Sequence, residues 1–167
     1  MTAIYSKVEL SKPRWQTIVI FTLAFWLSGS LILDLVIMPS LYVSGTINSS
    51  GFATAGNVMF SAFNRVELLC AALGMTGIMV LSNSSTDFGK GSRTAILLSF
   101  VLLAIALLDT YALTPQMTAL GAHLNLFEPV VEVPSEMNLL HQSYFGLEAV
   151  KLAAGAMLLS WCYRHHA

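Results

Sequence analysis

Four stretches of nearly unbroken apolar sequence dominate the chain, at about Trp15–Met38, Asn57–Leu81, Arg93–Thr114 and Asn138–Tyr163. A helix needs about 20 residues to cross a hydrocarbon core, and each stretch meets that length. Backbone groups in lipid must bond to one another, so runs this long predict helices; barrel strands would be half as long and would alternate. Pro39 and Pro115 predict the ends of the first and third helices. Asn83-Ser84-Ser85 with Gly89 and Gly91 predicts a short middle turn, and Pro129 and Pro134 break the last loop. The expected architecture is all-α: one integral membrane domain over residues 1–167, a four-helix bundle, with two tandem helical hairpins as one arrangement.

Composition strengthens this reading. Of 167 residues, 56% are hydrophobic and 10% charged, with a mean hydropathy of +0.71, whereas soluble domains are about one quarter charged. Too few charges exist to cover a globule in water, so the bilayer is the implied solvent. A formal net charge of −1 gives no basic footprint, and nucleic acid is not an expected partner. Cys70 and Cys162 fall at different predicted depths, too far apart to bridge.

Lys7, Lys12 and Arg14 precede the first helix, Lys90 and Arg93 lie at the middle turn, and Arg164 follows the fourth helix. The two longer loops, about Pro39–Gly56 and Pro115–Met137, carry no Lys or Arg. By the positive-inside rule both termini are expected in the cytoplasm and the longer loops outside. The basic approach to the first helix is like that of a secretory signal, but the apolar run is too long and no cleavage site follows, so it reads as an anchor. Asn48-Ser49-Ser50 matches a glycosylation sequon on the outer side.

The two halves of the chain resemble each other. Asp34 precedes Pro39 and Asp109 precedes Pro115, each within two turns, while Glu67 and Glu148 each precede a run of small residues containing Gly74 or Gly155. With an even number of spans between the copies, such a repeat would be parallel. Each helix thus contains one acid, and Arg65 and Lys151 join them on the second and fourth. A charge near the bilayer centre costs about 2.5–3.5 kcal/mol on insertion scales, so these side chains are expected to face inward. His141, Tyr144, Glu148, Lys151 and Gly155 are spaced three and four apart, as are Asn57, Ser61, Asn64 and Glu67, which predicts one polar face on each helix.

The expected polar column is therefore Asp34, Asn64, Arg65, Glu67, Asp109, His141, Tyr144, Glu148 and Lys151. In a structural reading Glu148 pairs with Lys151 and Arg65 with Asp34 or Asp109, fixing helix register for an accessory subunit, alone, as a homo-oligomer or with a membrane-protein partner. In a functional reading four acids outnumber two bases, and the surplus carboxylates bind or pass a small cation, a proton or a soft metal. A third reading is a haem or redox protein. His141 is the nearest candidate for a haem ligand inside a helix. Met38, Met59, Met117 and Met137 gather near His123 and His141 at the outer ends, and thioether with imidazole suits Cu(I), making His123, His141, Met38 and Met117 weak metal candidates. His165-His166 reads as a solvated end. No nucleophile with helical support is present, which argues against an enzyme without deciding the matter.

The segments "FWLSGSLILDLVIMPSLY", "FNRVELLCAALG", "LDTYALTP" and "LHQSYFGLEAVKL" resemble a bacterial four-helix membrane-domain family related to transmembrane protein 205, most closely its cyanobacterial members. That family is similar to the broader copper-resistance-D-like group, which includes a haem-pathway oxidase. The resemblance covers nearly the whole chain and implies a bacterial plasma or thylakoid membrane, with copper or haem as the associated cofactors. The first three helices contain no His, so it implies no transfer of oxidase activity.

Overall fold

The computed structural model describes residues 12–44, 52–84, 91–127 and 135–164. Among these the fold is all-helical: α1 Lys12–Ile32, a π-helical turn π1 Leu33–Ile37, α2 Met38–Val43, α3 Phe52–Ser84, α4 Gly91–Leu108, a second π turn π2 Asp109–Leu113, α5 Thr114–Phe127 and α6 Ser135–Arg164. The α1–π1–α2 and α4–π2–α5 series are continuous rods, so the chain presents four spans: Arg14–Leu41, Ala55–Asn83, Arg93–Leu120 and Glu136–Arg164. At 1.5 Å per residue, 28 residues make a rod of about 42 Å, longer than a hydrocarbon core. Phe21, Phe25, Phe100 and Phe145 are all more than half exposed, which suits a lipid-facing exterior. The chain is a multi-pass integral membrane protein.

The spans pack in a ring in chain order, α1 on α3, α3 on α4, α4 on α6 and α6 back on α1. An apolar core of Val19, Leu23, Ile78, Leu81, Leu102 and Leu158 fills the end of the bundle that carries Arg14, Ser84, Gly91 and Arg164. At that end Gln16 Nε2 donates to the Cys162 carbonyl at 2.8 Å, tying the first span to the fourth. Two glycines let the first span approach its neighbours. A Cβ on Gly77 would lie 2.2 Å from Val19 Cγ2, and one on Gly155 would lie 2.8 Å from Leu27 Cδ2. Cys70 and Cys162 are buried free thiols.

The prolines do not end their helices, contrary to expectation. The first rod continues to Val43 and the third to Phe127, so much of each expected outer loop is helical. The reason is local. A proline lacks an N–H and its ring collides with the carbonyl four residues back. Just before each proline the helix widens by one residue: the Met38 N–H bonds to the Leu33 carbonyl and the Thr114 N–H to the Asp109 carbonyl. These five-residue steps form the π turns and let Pro39 and Pro115 stay within helical rods. Asp34 and Asp109 both lie in such turns.

Candidate functional site: a buried acid and lysine cluster

Polar residues buried in the bundle are Ser30, Asn64, Glu67, Ser99, Asp109, Glu148 and Lys151. Lys151 is 1% exposed and reaches across the ring from α6 to α3, where its Nζ lies 2.6 Å from Glu67 Oε1. The same ammonium pairs with Glu148 one turn earlier on α6. Glu67 Oε1 also accepts from Trp26 Nε1 at 2.8 Å and from Ser30 Oγ at 3.0 Å. Three donors from two neighbouring spans therefore converge on one carboxylate oxygen, and this node joins the first, second and fourth spans. Charge-assisted bonds of this kind are about twice as strong as neutral ones.

The other acids are supplied differently. Among the described residues no hydrogen-bond donor reaches either carboxyl oxygen of Asp34 or Asp109, although all four atoms are buried. The Asp34 carboxyl neighbours Glu148, a second carboxyl, whose oxygens are likewise buried without a hydrogen-bond donor. Glu148 meets Lys151 as an ion pair without hydrogen-bond alignment. Asp109 lies within electrostatic reach of Lys151, Glu67 and Asp34. One ammonium thus pairs with two acids, Glu67 and Glu148, while Asp34 and Asp109 lie within its electrostatic reach. Were every acid ionised, three negative charges would lack a countercharge in a place where the desolvation of each ion costs several kcal/mol, a figure good only to order of magnitude.

Asn64 ties the second span to the π turn of the third. Its Nδ2 donates to Thr114 Oγ1 at 2.6 Å and to the Asp109 carbonyl at 3.3 Å. Thr110 Oγ1 in turn donates to the Ala106 carbonyl at 2.7 Å. Nearer the start of α3, Asn57 Oδ1 accepts from Ser61 Oγ on the same helix and from Thr118 Oγ1 on α5, at 3.1 and 3.0 Å. The polar face expected from Asn57, Ser61, Asn64 and Glu67 is thus engaged along its length. On α6, Tyr144 is buried against Phe60 with ring centroids 5.9 Å apart, edge to face.

Two members of the expected column lie outside the cluster. Arg65 is exposed and, among the described residues, forms no ion pair with Asp34 or Asp109. Helical phase explains this: one residue turns by about 100°, so the burial of Asn64 and Glu67 carries Arg65 to the outer face. It lines a groove of about 470 Å³ between the second and third spans, with Ser61, Asn64, Leu68, Leu69, Thr110 and Tyr111. An unpaired charge at this depth costs about 2.5–3.5 kcal/mol on insertion scales. His141 shares the helical phase of Glu148, but it lies two turns nearer the span's end and is exposed there, its Nδ1 2.9 Å from the Met137 carbonyl.

Met38 and Met117 are half-buried on the first and third spans, and the side chain of His123, like His165, His166 and the Asn48 sequon, lies outside the described residues. Among the described residues no three His, Cys, Asp or Glu side chains are grouped to hold a metal ion.

Trp26 and Ser30 are the site residues that the sequence reading missed. With Asp34 they are spaced four apart, a polar stripe on the first span. That spacing was available as a signal, but a tryptophan among leucines reads as bulk unless its N–H is given a partner. Thr114 was likewise hidden behind Pro115.

The fold and its interior define a class: an all-α four-helix membrane bundle with a charged centre. Comparison with profiles of known protein families, with curated proteins and with solved structures finds no match.

Proposed function

We propose that the bundle takes up and releases a proton at the Asp34–Glu148 pair, with Lys151, itself paired to Glu67, as the fixed cation beside it and Asp109 as a further acceptor. One observation carries this reading: neighbouring carboxyls from the first and fourth spans, Asp34 and Glu148, have all four oxygens buried with no hydrogen-bond donor among the described residues. Two carboxylates repel, whereas a carboxyl and a carboxylate hold one proton between them. Glu67 is held by three donors, Lys151 among them, so the mobile charge is assigned to the acids that lack a hydrogen-bond donor. A proton suits the cluster better than a soft metal, since the carboxyls are not grouped as metal ligands and no sulfur or imidazole is among the groups that meet at Lys151. The positive-inside rule assigns the end with Arg14, Arg93 and Arg164 to the cytoplasm, so the acid-rich half lies toward the opposite face. The resemblance to the family related to transmembrane protein 205 is offered alongside as an assignment of kinship, resting on the quoted segments.

Proteoliposomes holding a pH-sensitive dye test the reading. Wild-type protein is expected to move or buffer protons across an imposed pH step, and Glu148→Gln and Asp34→Asn to abolish that signal while retaining the fold. Equal signals from wild type and both variants would contradict it. A second reading is an accessory subunit whose charges only hold helices together, favoured by the saturated Glu67 node. It predicts that the same substitutions change stability or co-purification and that no proton signal exists in wild type.

A further inference from the structure

Arg65 has no role in the cluster and no ion-pair partner among the described residues, and its placement suits an anion bound from the bilayer. Among the described residues the other exposed charged side chains, Arg14, Arg93, Glu136 and Arg164, stand at the ends of spans. Arg65 stands ten residues inside a span that starts at Ala55, about 15 Å along the helix and about 6 Å from the middle of the span. Its side chain can bend toward the nearer interface, as arginines in lipid do, and a depth of this kind leaves the guanidinium at or below the headgroup level.

The surroundings favour a lipid over a protein. Tyr111, 70% exposed, lines the same groove and offers it a phenol. Leu69, 65% exposed, and Leu68 supply an apolar wall for an acyl chain. The described residues of a second copy offer no matching carboxylate: Asp34, Glu67, Asp109 and Glu148 are turned inward and Glu136 lies at a span end. Dimerisation through this groove would oppose two unpaired arginines. The planar guanidinium fork matches a phosphate with two parallel bonds.

We infer that the Arg65 groove binds the phosphate headgroup of an acidic phospholipid, with Tyr111 as a second donor and the acyl chains against Leu68 and Leu69. An acidic lipid is preferred because a zwitterionic headgroup carries its own cation, which competes for the phosphate.

The test uses the full chain in nanodiscs of zwitterionic lipid doped with a small fraction of phosphatidylglycerol, with retained lipid counted by native mass spectrometry after release into detergent. Wild type is expected to retain phosphatidylglycerol selectively. Arg65→Gln is expected to lose that selectivity by about tenfold or more, and Arg65→Lys, which keeps the charge but not the fork, to fall between. Tyr111→Phe should weaken retention less and serves as an independent variant if Arg65→Gln proves unstable. Equal retention by wild type and by both Arg65→Gln and Tyr111→Phe would overturn the inference. So would displacement of the lipid by inorganic phosphate alone, which would mark a free-anion site, or a dimer that buries the groove and survives Arg65→Gln.

Discussion

Replacing Lys151 by methionine removes the ammonium that Glu67 and Glu148 share and leaves a side chain of similar length. At 2.6 Å and an effective dielectric near 20, the Lys151–Glu67 attraction is about 6 kcal/mol before desolvation is counted. Most of that is offset by the cost of burying both ions, so the pair itself contributes little net stability. The single substitution is different, because it strands Glu67 and Glu148 in the interior; breaking a buried pair in this way costs about 3–5 kcal/mol. Glu67→Gln alone should cost less, since the amide oxygen still accepts from Trp26 and Ser30. The double variant Lys151→Met, Glu67→Gln should recover part of the loss, with a coupling energy of about 1–3 kcal/mol. Unfolding in mixed micelles, followed by helical content against denaturant, measures all four proteins. Strictly additive losses would refute the claim that Lys151 and Glu67 form one buried node, as would a Lys151→Met protein as stable as wild type.

Other expectations follow from the same contacts. Trp26→Phe removes one donor to Glu67 and some volume, and should destabilise by about 1.5–3 kcal/mol in the same assay. Gly77→Ala puts a methyl into Val19 and should cost about 1–3 kcal/mol, with Val19→Ala restoring much of it in the double variant. Pro115→Ala returns an N–H to the third span and removes the clash that favours π2, so hydrogen exchange at the Thr114 amide should change while the global unfolding midpoint moves little; no change at that amide would argue against the proline account.

Most of the architecture was legible because lipid imposes a simple pattern. Span number and the inward faces of α3 and α6 follow from apolar run length and a spacing of three and four, which placed Asn64, Glu67, Tyr144, Glu148 and Lys151 on the correct sides. Arg65 is expected to reach an acid on the first or third span from a different side of the same turn, but the phase set by Asn64 and Glu67 turns it to the outer face instead. His141 had the right phase, yet phase does not say how far along a span the neighbouring helices extend cover. Pro39 and Pro115 were read as stops because the sequence carries no separate mark for a π turn, and only the widened hydrogen bonds at Met38 and Thr114 show how the rods continue. The nearness of Asp34 to Glu148 depends on the spatial adjacency of the first and fourth spans, which the order of elements does not give.

The claim at the centre of this account is that Asp34 and Glu148 hold a proton between them inside the bundle. Infrared difference spectroscopy of the protein in lipid, taken across a pH titration, reads protonated carboxyls directly through their C=O stretch. The account predicts a carboxylic acid band that shifts in deuterium oxide and is lost in both Asp34→Asn and Glu148→Gln. A spectrum with no such band at any pH at which the protein is folded, or a band untouched by both substitutions, would contradict it.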